Sequence, residues 1–513
     1  MPQSVEGSAA RLVRNTLSSG GSRLANAVLA LALTPILLRR LGPAEYGVWL
    51  LATTLTFTSG FLNLAELGLQ QAAVRLVAEA RQRNDDRSVS EVVSTVVALF
   101  MGMGLVLGVV VAAAAVPLTT LFSVPAGLEH AAVQVFALVG AQIALDMPAA
   151  GTLAYWDGSQ RFGVSRGIDV GSRLAWTGAT VVSVWLGHGV VGIGVVSVAI
   201  AALTLAAQLA ALGRQPDVTL RLGLVTRASV HRLSGHGAPM FGLRILAVLY
   251  TQMDRAIIGV ALGTVAVARY EVAYKLHAAA ALALGVAPAA VLPTAAYLGQ
   301  ERMERLRALF VRGTKYAVAF GLPVAVAGTL YARPLIATWV GADYVDIADE
   351  ARVFLLYPAV AIGLVVGQAM VMGVGRVRPV LLYHLCSVTV NLVVSLILVG
   401  RMGVGGVIWG TVAGYMVVLV PFHRLFFRSF AVGPADWLRR VVLPNLPGLG
   451  VQLAFGAATL AWAENLGQLW AVGLVALASW AASAATFVLV GLSPAERSGL
   501  MATVRRQRTP APG

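Results

Sequence analysis

The chain is poor in the residues that mark soluble proteins. Only 12% of its 513 residues are charged, against about 25% in an average soluble chain. There is a single cysteine, Cys386, so no disulfide can form within the chain and cysteine usage says nothing about redox compartment. Length alone would allow several soluble domains, yet no segment between the apolar runs is long enough to fold as one. The sequence holds no metal-ligand spacing, no nucleophile elbow and no phosphate-binding glycine loop ahead of a soluble helix. Neither catalytic residues nor metal ligands nor a cofactor are therefore expected. The N-terminal stretch "MPQSVEGSAARLVRNTLSSGG" lacks the apolar core and small-residue cleavage site of a secretory signal. The first apolar run is expected to remain in the protein.

What is abundant is apolar length. Hydrophobic residues make up 58% of the chain. Runs of eighteen or more apolar residues recur, each able to cross about 30 Å of hydrocarbon at about 1.5 Å per residue. The periodicity predicts an all-α polytopic membrane protein of about fourteen transmembrane helices. The spans fall near 22–41, 46–68, 90–114, 130–152, 167–187, 190–212, 238–261, 270–293, 314–333, 351–372, 379–400, 404–426, 441–463 and 467–490. Prolines 288, 293, 444 and 447 interrupt the eighth and thirteenth. Proline inside a span removes a backbone bond and kinks the helix.

Charge orients these spans. Most of the 38 lysines and arginines fall in the termini and in alternate loops. The opposite loops hold only Arg39, Arg40, Arg269, Arg333, Arg352 and Arg401. The positive-inside bias then puts both termini in the cytoplasm, which requires an even number of spans. The net charge of +15 reads as a topology signal, and no nucleic-acid partner is expected.

The chain also repeats itself weakly. "GHGVVGIGVVSVAIA" (187–201) and "RMGVGGVIWGTVAGY" (401–415) share Gly189/Gly403 and Gly192/Gly406. "SRLANAV" (22–28) lies over "LRILAVL" (243–249), matching Arg23 with Arg244 and, further on, Gly42 with Gly263. Both matches sit at equivalent places in two six-span halves, which implies a parallel repeat about the membrane normal. The expected organisation is a cytoplasmic segment 1–21, an N-lobe 22–213 of spans one to six and a basic linker 214–237. A C-lobe 238–426 of spans seven to twelve follows, then a cytoplasmic loop 427–440, two extra spans 441–490 and a basic tail 491–513.

Five cations fall inside spans: Arg23, Arg173, Arg244, Arg255 and Lys275. Each unpaired charge at mid-bilayer costs roughly 2.5–3.5 kcal/mol on insertion scales, so they must be paired, snorkelled or facing water. Asp169 and Arg173 stand four apart with the acid first, a favourable helical pair. Glu271 and Lys275 share that spacing. Asp254 and Arg255 are adjacent, so they point about 100° apart and cannot face each other. Each needs a partner from elsewhere: one would tie span seven to a neighbour and the other would line a cavity. Glu66 reads as a solvated helix end, and Asp146, four after Gln142, as either a kink-stabilising donor or a proton-coupling site. The acids of "RPLIATWVGADYVDIADEAR" (333–352) read as a solvated face.

Three stretches carry a family resemblance. "LTPILLRRLGPAEYGVWLLATTL" with "LAELGLQQAAVRLVAE" resembles the opening of bacterial polysaccharide exporters of the Wzx flippase type. "MDRAIIGVALGTVAVARYEVAYKLHAAAALALGVAPAAVLPTAAYL" is similar to their span seven to eight region. "GVGRVRPVLLYHLCSVTVNLVVSLILVGRMGVGGVIWGTVAGY" is similar to spans eleven and twelve. These exporters belong to the multidrug, oligosaccharidyl-lipid and polysaccharide (MOP) superfamily, with the lipid II flippases and MATE drug antiporters. The resemblance covers most of residues 10–430 and implies two six-helix lobes around a cationic cavity lined by spans one, two, seven and eight. In "GGSRL" Arg23 stands where lipid II flippases are similar in having a cavity arginine. In "VAYKL" Lys275 replaces another, keeping the charge but losing bidentate phosphate recognition. The paired arginines at the start of their second span have no counterpart here.

The resemblance implies a transporter, not an enzyme, that moves a polyprenyl-pyrophosphate-linked oligosaccharide across a bacterial cytoplasmic membrane by alternating access. Arg23, Arg244, Arg255 and Lys275 are the expected pyrophosphate ligands. Asp254, Glu271 and Asp146 are the expected coupling or switch residues, driven by a proton or sodium gradient or by membrane potential. A polysaccharide polymerase and glycosyltransferases of the same pathway are the expected protein partners. A MATE-like drug or cation antiporter, a lipid II flippase, and an O-antigen polymerase or membrane glycosyltransferase are the alternatives.

Overall fold

The computed structural model describes residues 5–234, 238–299 and 302–498. Side chains are described for all of these except 5–27, 234, 238–241, 243, 283, 284, 286, 287, 289 and 290. Every element among the described residues is helical. In chain order they are α1 Val5–Thr53, a 3-10 turn Phe61–Glu66, α2 Leu69–Gln82, α3 Asp86–Ala113, α4 Ala115–Leu121 and α5 Glu129–Gly158. Then come α6 Phe162–Trp185, α7 Gly189–Gly213, α8 Arg227–Ser234, α9 Ala238–Leu262, α10 Thr264–Ala281, α11 Val286–Leu298 and α12 Met303–Leu330. The last are α13 Ala332–Trp339, α14 Ala348–Gly373, α15 Val377–Phe430, α16 Pro434–Trp437, α17 Leu446–Glu464 and α18 Leu469–Thr486. Nine helices among the described residues are long and apolar enough to cross a membrane. One of them, Val377–Phe430, is two helices joined at a kink at Gly403.

The second expected span, 46–68, is not one helix, and this corrects the sequence reading. The helix stops at Thr53 and a 3-10 turn resumes only at Phe61. The cause is local. Thr53, Thr54 and Thr56 turn their hydroxyls back onto the carbonyls of Leu50, Leu51 and Thr53 at 2.6, 2.6 and 2.9 Å. Side chains that bond nearby backbone in this way compete with the helix ladder. Gly68, at φ 76°, then starts α2 in a new direction.

The eighth and thirteenth spans are interrupted, although Pro293 lies inside α11 and Pro447 in the first turn of α17. A 3-10 turn Leu282–Gly285 separates α10 from α11. A π-helical turn Leu438–Val442 and a 3-10 turn Leu443–Asn445 precede α17.

The chain forms two compact units, each described by itself. One comprises 28–270 with 396–407, the other 1–27, 271–395 and 408–513. In the first, α3, α5 and α7 pack together. The α3–α5 contact depends on small residues: a Cβ added at Gly108 would stand 2.5 Å from the Gly140 carbonyl oxygen. Close backbone approach of this kind is what drives helix association in lipid, where burial of apolar surface gives no advantage. In the second unit α12 packs on α14, and the α17–α18 hairpin lies against α12. Gln452 and Trp480 fasten that hairpin, donating to the Pro323 and Phe320 carbonyls at 2.8 and 3.0 Å.

The repeat glycines share a positive φ. Gly189 and Gly403 have φ of 59° and 57°, and Gly42 and Gly263 have 76° and 80°. Both sequence-matched pairs therefore lie in a region costly to side chains with a Cβ.

Candidate functional site: a broken helix held by an arginine

The break at 54–60 exposes backbone groups that a membrane protein must satisfy from within, because lipid offers no partner. Helix α9 of the same unit supplies part of the answer. Gln252 Nε2 donates to the Ser59 carbonyl at 2.7 Å. Asn63 Nδ2 closes the loop internally on the Phe57 carbonyl at 2.8 Å.

Arg244 holds the far end of the break. Its Nε donates to Asn63 Oδ1 at 2.8 Å, and its Nη2 pairs with Glu66 Oε2. The two partners differ sharply in exposure. The Glu66 side chain is 1% exposed, whereas that of Arg244 is 29% exposed. Glu66 is thus buried rather than a solvated helix end. An arginine has five N–H donors in a planar fork, and only Nε and Nη2 are engaged by described residues. The arrangement is a carboxylate sunk in the protein with a cation beside it that keeps donors free for an anion.

Asp254 and Arg255 are both buried. The Tyr270 hydroxyl donates to Asp254 Oδ2 at 3.1 Å, tying α9 to α10. Arg255 Nη1 donates to Gln252 Oε1 at 3.2 Å. One partner of Arg255 thus lies three residues back on its own helix, and that residue also carries the Ser59 bond. Gln252 therefore binds the break at Ser59, and Arg244 binds the 3-10 turn that follows it at Asn63 and Glu66.

The remaining expected residues stand apart from this cluster. In the other unit Lys275 Nζ meets Glu271 at 3.0 Å, with Lys275 22% and Glu271 1% exposed. That repeats, within one helix turn, the pattern of a buried acid and a more accessible cation. Asp146 accepts from Gln142 at 3.0 Å on α5. Arg173 and Asp169 pair at 3.2 Å on the exposed face of α6. The side chain of Arg23 lies outside the described residues. Sequence reasoning missed Ser59, Asn63 and Gln252. The signal was the polar run "TLTFTSGFLN", which interrupts an otherwise apolar span.

Residues 36–349 match the family model for polysaccharide biosynthesis proteins. The chain belongs to that family. Against curated protein sequences no match was found. Among solved structures the chain is similar to a lipid II flippase MurJ in an inward closed conformation, with a TM-score of 0.69 and 12% identity over 90% of this chain and 98% of that one. It is also similar to a multidrug resistance MATE family transporter of the MOP superfamily in an inward-facing conformation. There the TM-score is 0.64 and the identity 18%, over 79% of this chain and 95% of that one. At such identities the likeness establishes the fold alone. This polysaccharide biosynthesis protein is a multi-pass integral membrane protein with the MOP superfamily fold.

Proposed function

We propose that the protein carries a polyprenyl-pyrophosphate-linked oligosaccharide across the bacterial cytoplasmic membrane, using fourteen spans with both termini in the cytoplasm. The family supports a role in polysaccharide biosynthesis. The observation that carries the transport reading is Arg244: a partly exposed guanidinium beside a buried carboxylate, at a break in a membrane helix. Discontinuous helices with charged groups at the break are where transporters of many folds bind their substrates.

The residues act as follows. The pyrophosphate competes with Glu66 for Arg244, since guanidinium pairs phosphate and carboxylate by the same two-pronged geometry. Arg23, Arg255 and Lys275 are further proposed pyrophosphate ligands, and Glu271 keeps Lys275 neutralised until the head group arrives. Once Arg244 turns to phosphate, Glu66 is left buried without its cation, a state several kcal/mol less favourable. Uptake of a proton by Glu66 relieves it. Asp254 and Asp146 are further coupling positions. Sugars would lie in water and the prenyl tail in lipid. A polymerase and glycosyltransferases of the pathway would supply and consume the cargo.

Flipping of a fluorescent lipid-linked glycan in proteoliposomes tests this. Arg244→Ala should cut the rate about 10- to 100-fold, the loss expected of one charge-assisted phosphate contact worth about 1.5–3 kcal/mol. Unchanged flipping in that variant and in Lys275→Ala would remove the anion-binding reading. Growth protection against cationic dyes would favour the drug antiporter instead.

A further inference from the structure

A second charged cavity lies wholly within the other unit and takes no part in the site above. It has a volume of about 1270 Å³ and opens between the first turns of α12, the π-helical turn Leu438–Val442 and the segment after α18. The α12 wall is one helix face: Glu304, Arg307, Val311, Arg312 and Lys315 follow the spacing of a single stripe. Arg439 and Arg440 face it from the π-turn, and Leu492 and Glu496 from the chain beyond α18.

The cations outnumber what the acids neutralise. Lys315, buried, pairs with Glu496 at 2.8 Å, and Arg307 pairs with Asp436 at 2.9 Å. Arg312, Arg439 and Arg440 are exposed and make no ion pair among the described residues. Glu304 is the one lining carboxylate without an ion pair among the described residues, so three arginines face one acid and the hollow keeps a net positive charge that suits an anion.

The rim says what kind of anion. Of the apolar residues that line the hollow, Val311 and Pro444 are partly exposed and Val490 is 62% exposed, and Leu438, Leu443 and Leu489 on the same elements are about half exposed or more. A free phosphate has no use for such a border, whereas a lipid sets its phosphate among the arginines and its chains along these residues. Basic hollows between transmembrane helices at the basic end of a bundle are suited to phospholipid head groups. The volume exceeds a single phosphate and fits a glycerol-linked head group.

We infer that the hollow between α12 and the terminal hairpin binds the phosphodiester head group of an anionic phospholipid, with Arg312, Arg439 and Arg440 as its ligands. The lipid acts as a strap between α12 and the hairpin, adding to the Lys315–Glu496 and Arg307–Asp436 pairs and to the bonds of Gln452 and Trp480.

The test uses the full chain in neutral detergent with fluorescent phosphatidylglycerol, and phosphatidylcholine as the reference lipid. The wild type should prefer phosphatidylglycerol. The triple variant R312Q/R439Q/R440Q should weaken that binding at least about tenfold, the effect of removing three surface cations. R83Q/R87Q, two exposed arginines of the first unit, should leave it within about twofold. R312K/R439K/R440K should retain most of the affinity, which shows that loss in the glutamine variant is not misfolding. Equal binding of both lipids, or an unchanged affinity in the glutamine variant, overturns the proposal. Full displacement of the lipid by millimolar inorganic pyrophosphate would assign the hollow to a free anion and overturn it too.

Discussion

Arg244 on α9 and Glu66 at the end of the broken second helix form an ion pair in which the acid is 1% and the base 29% exposed. That asymmetry makes the two ends of the pair behave differently when either is removed. Arg244→Gln leaves a buried carboxylate without its cation. The loss should be about 2–4 kcal/mol, somewhat below the fully buried range because Arg244 is partly solvated. Glu66→Gln should cost less, since the arginine it abandons reaches water. The double variant R244Q/E66Q should regain most of the stability yet stay inactive. Melting of the purified variants with parallel flipping assays reads both. A double variant as unstable as R244Q alone would show that the pair does not hold the break.

The sequence revealed some of this arrangement and hid the rest for physical reasons. Apolar length and the alternation of charge disclose a membrane bundle because lipid imposes both on every span. Pairs four apart, Asp169–Arg173 and Glu271–Lys275, are legible because one helix turn brings them together. Proline marks the interruptions at 282–285 and 438–445 in the same local way. The break at 54–60 escaped notice because threonine and serine are mild enough for an apolar window to pass over them. The contact of Arg244 with Asn63 escaped because 181 residues separate them, and no local rule spans that distance.

The glycine pairs allow the repeat to be tested through the backbone. Gly189 and Gly403 have nearly equal positive φ, 59° and 57°. Alanine at either site meets the Cβ penalty of that region, about 1–2 kcal/mol. Gly403→Ala, with open space around its Cβ, should lower the melting temperature through the backbone alone, and Gly189→Ala by at least as much, because its Cβ would also stand 3.2 Å from Glu45 Oε2. Gly102→Ala, in the middle of α3 with open space around its Cβ, should be neutral or mildly stabilising by up to about 1 kcal/mol. A smaller loss at 189 than at 403 would show that the shared positive φ does not set the cost at both sites.

Glu496 gives the protein an acid limit. Burial raises its carboxyl, but the Lys315 ammonium and the Ser493 backbone and hydroxyl groups outweigh this and bring its pKa down to about 2. A carboxylate whose pKa falls on folding contributes stability above its unfolded value of 4.5, and that contribution is lost as pH falls from there towards 2. Between pH 7 and pH 5 the melting temperature should not respond to this group. Below about pH 4.5 the wild type should lose stability more steeply than Glu496→Gln, whose side chain does not titrate. Melting curves at intervals from pH 7 to pH 2.5 measure the difference. Parallel wild-type and variant profiles would mean that the bond to Lys315 does not survive in solution.

Asp254 answers to Tyr270, and the strength of that answer is measurable. The tyrosine hydroxyl donates to Asp254 Oδ2 at 3.1 Å with both residues buried. Tyr270→Phe removes the donor and keeps the ring, so it isolates the hydrogen bond from the packing. A buried acceptor that loses one partner costs about 1–3 kcal/mol. Asp254 has other interactions, which puts the expected loss near the lower end, about 1 kcal/mol. Asp254→Asn keeps an oxygen for the tyrosine and removes only the charge. If Asp254 is also a coupling group, that variant should flatten the pH dependence of flipping while leaving the fold intact. A normal pH profile in Asp254→Asn, with an unchanged melting temperature, would reduce Asp254 to a helix-packing residue and leave Glu66 as the buried acid beside Arg244 that could carry the switch.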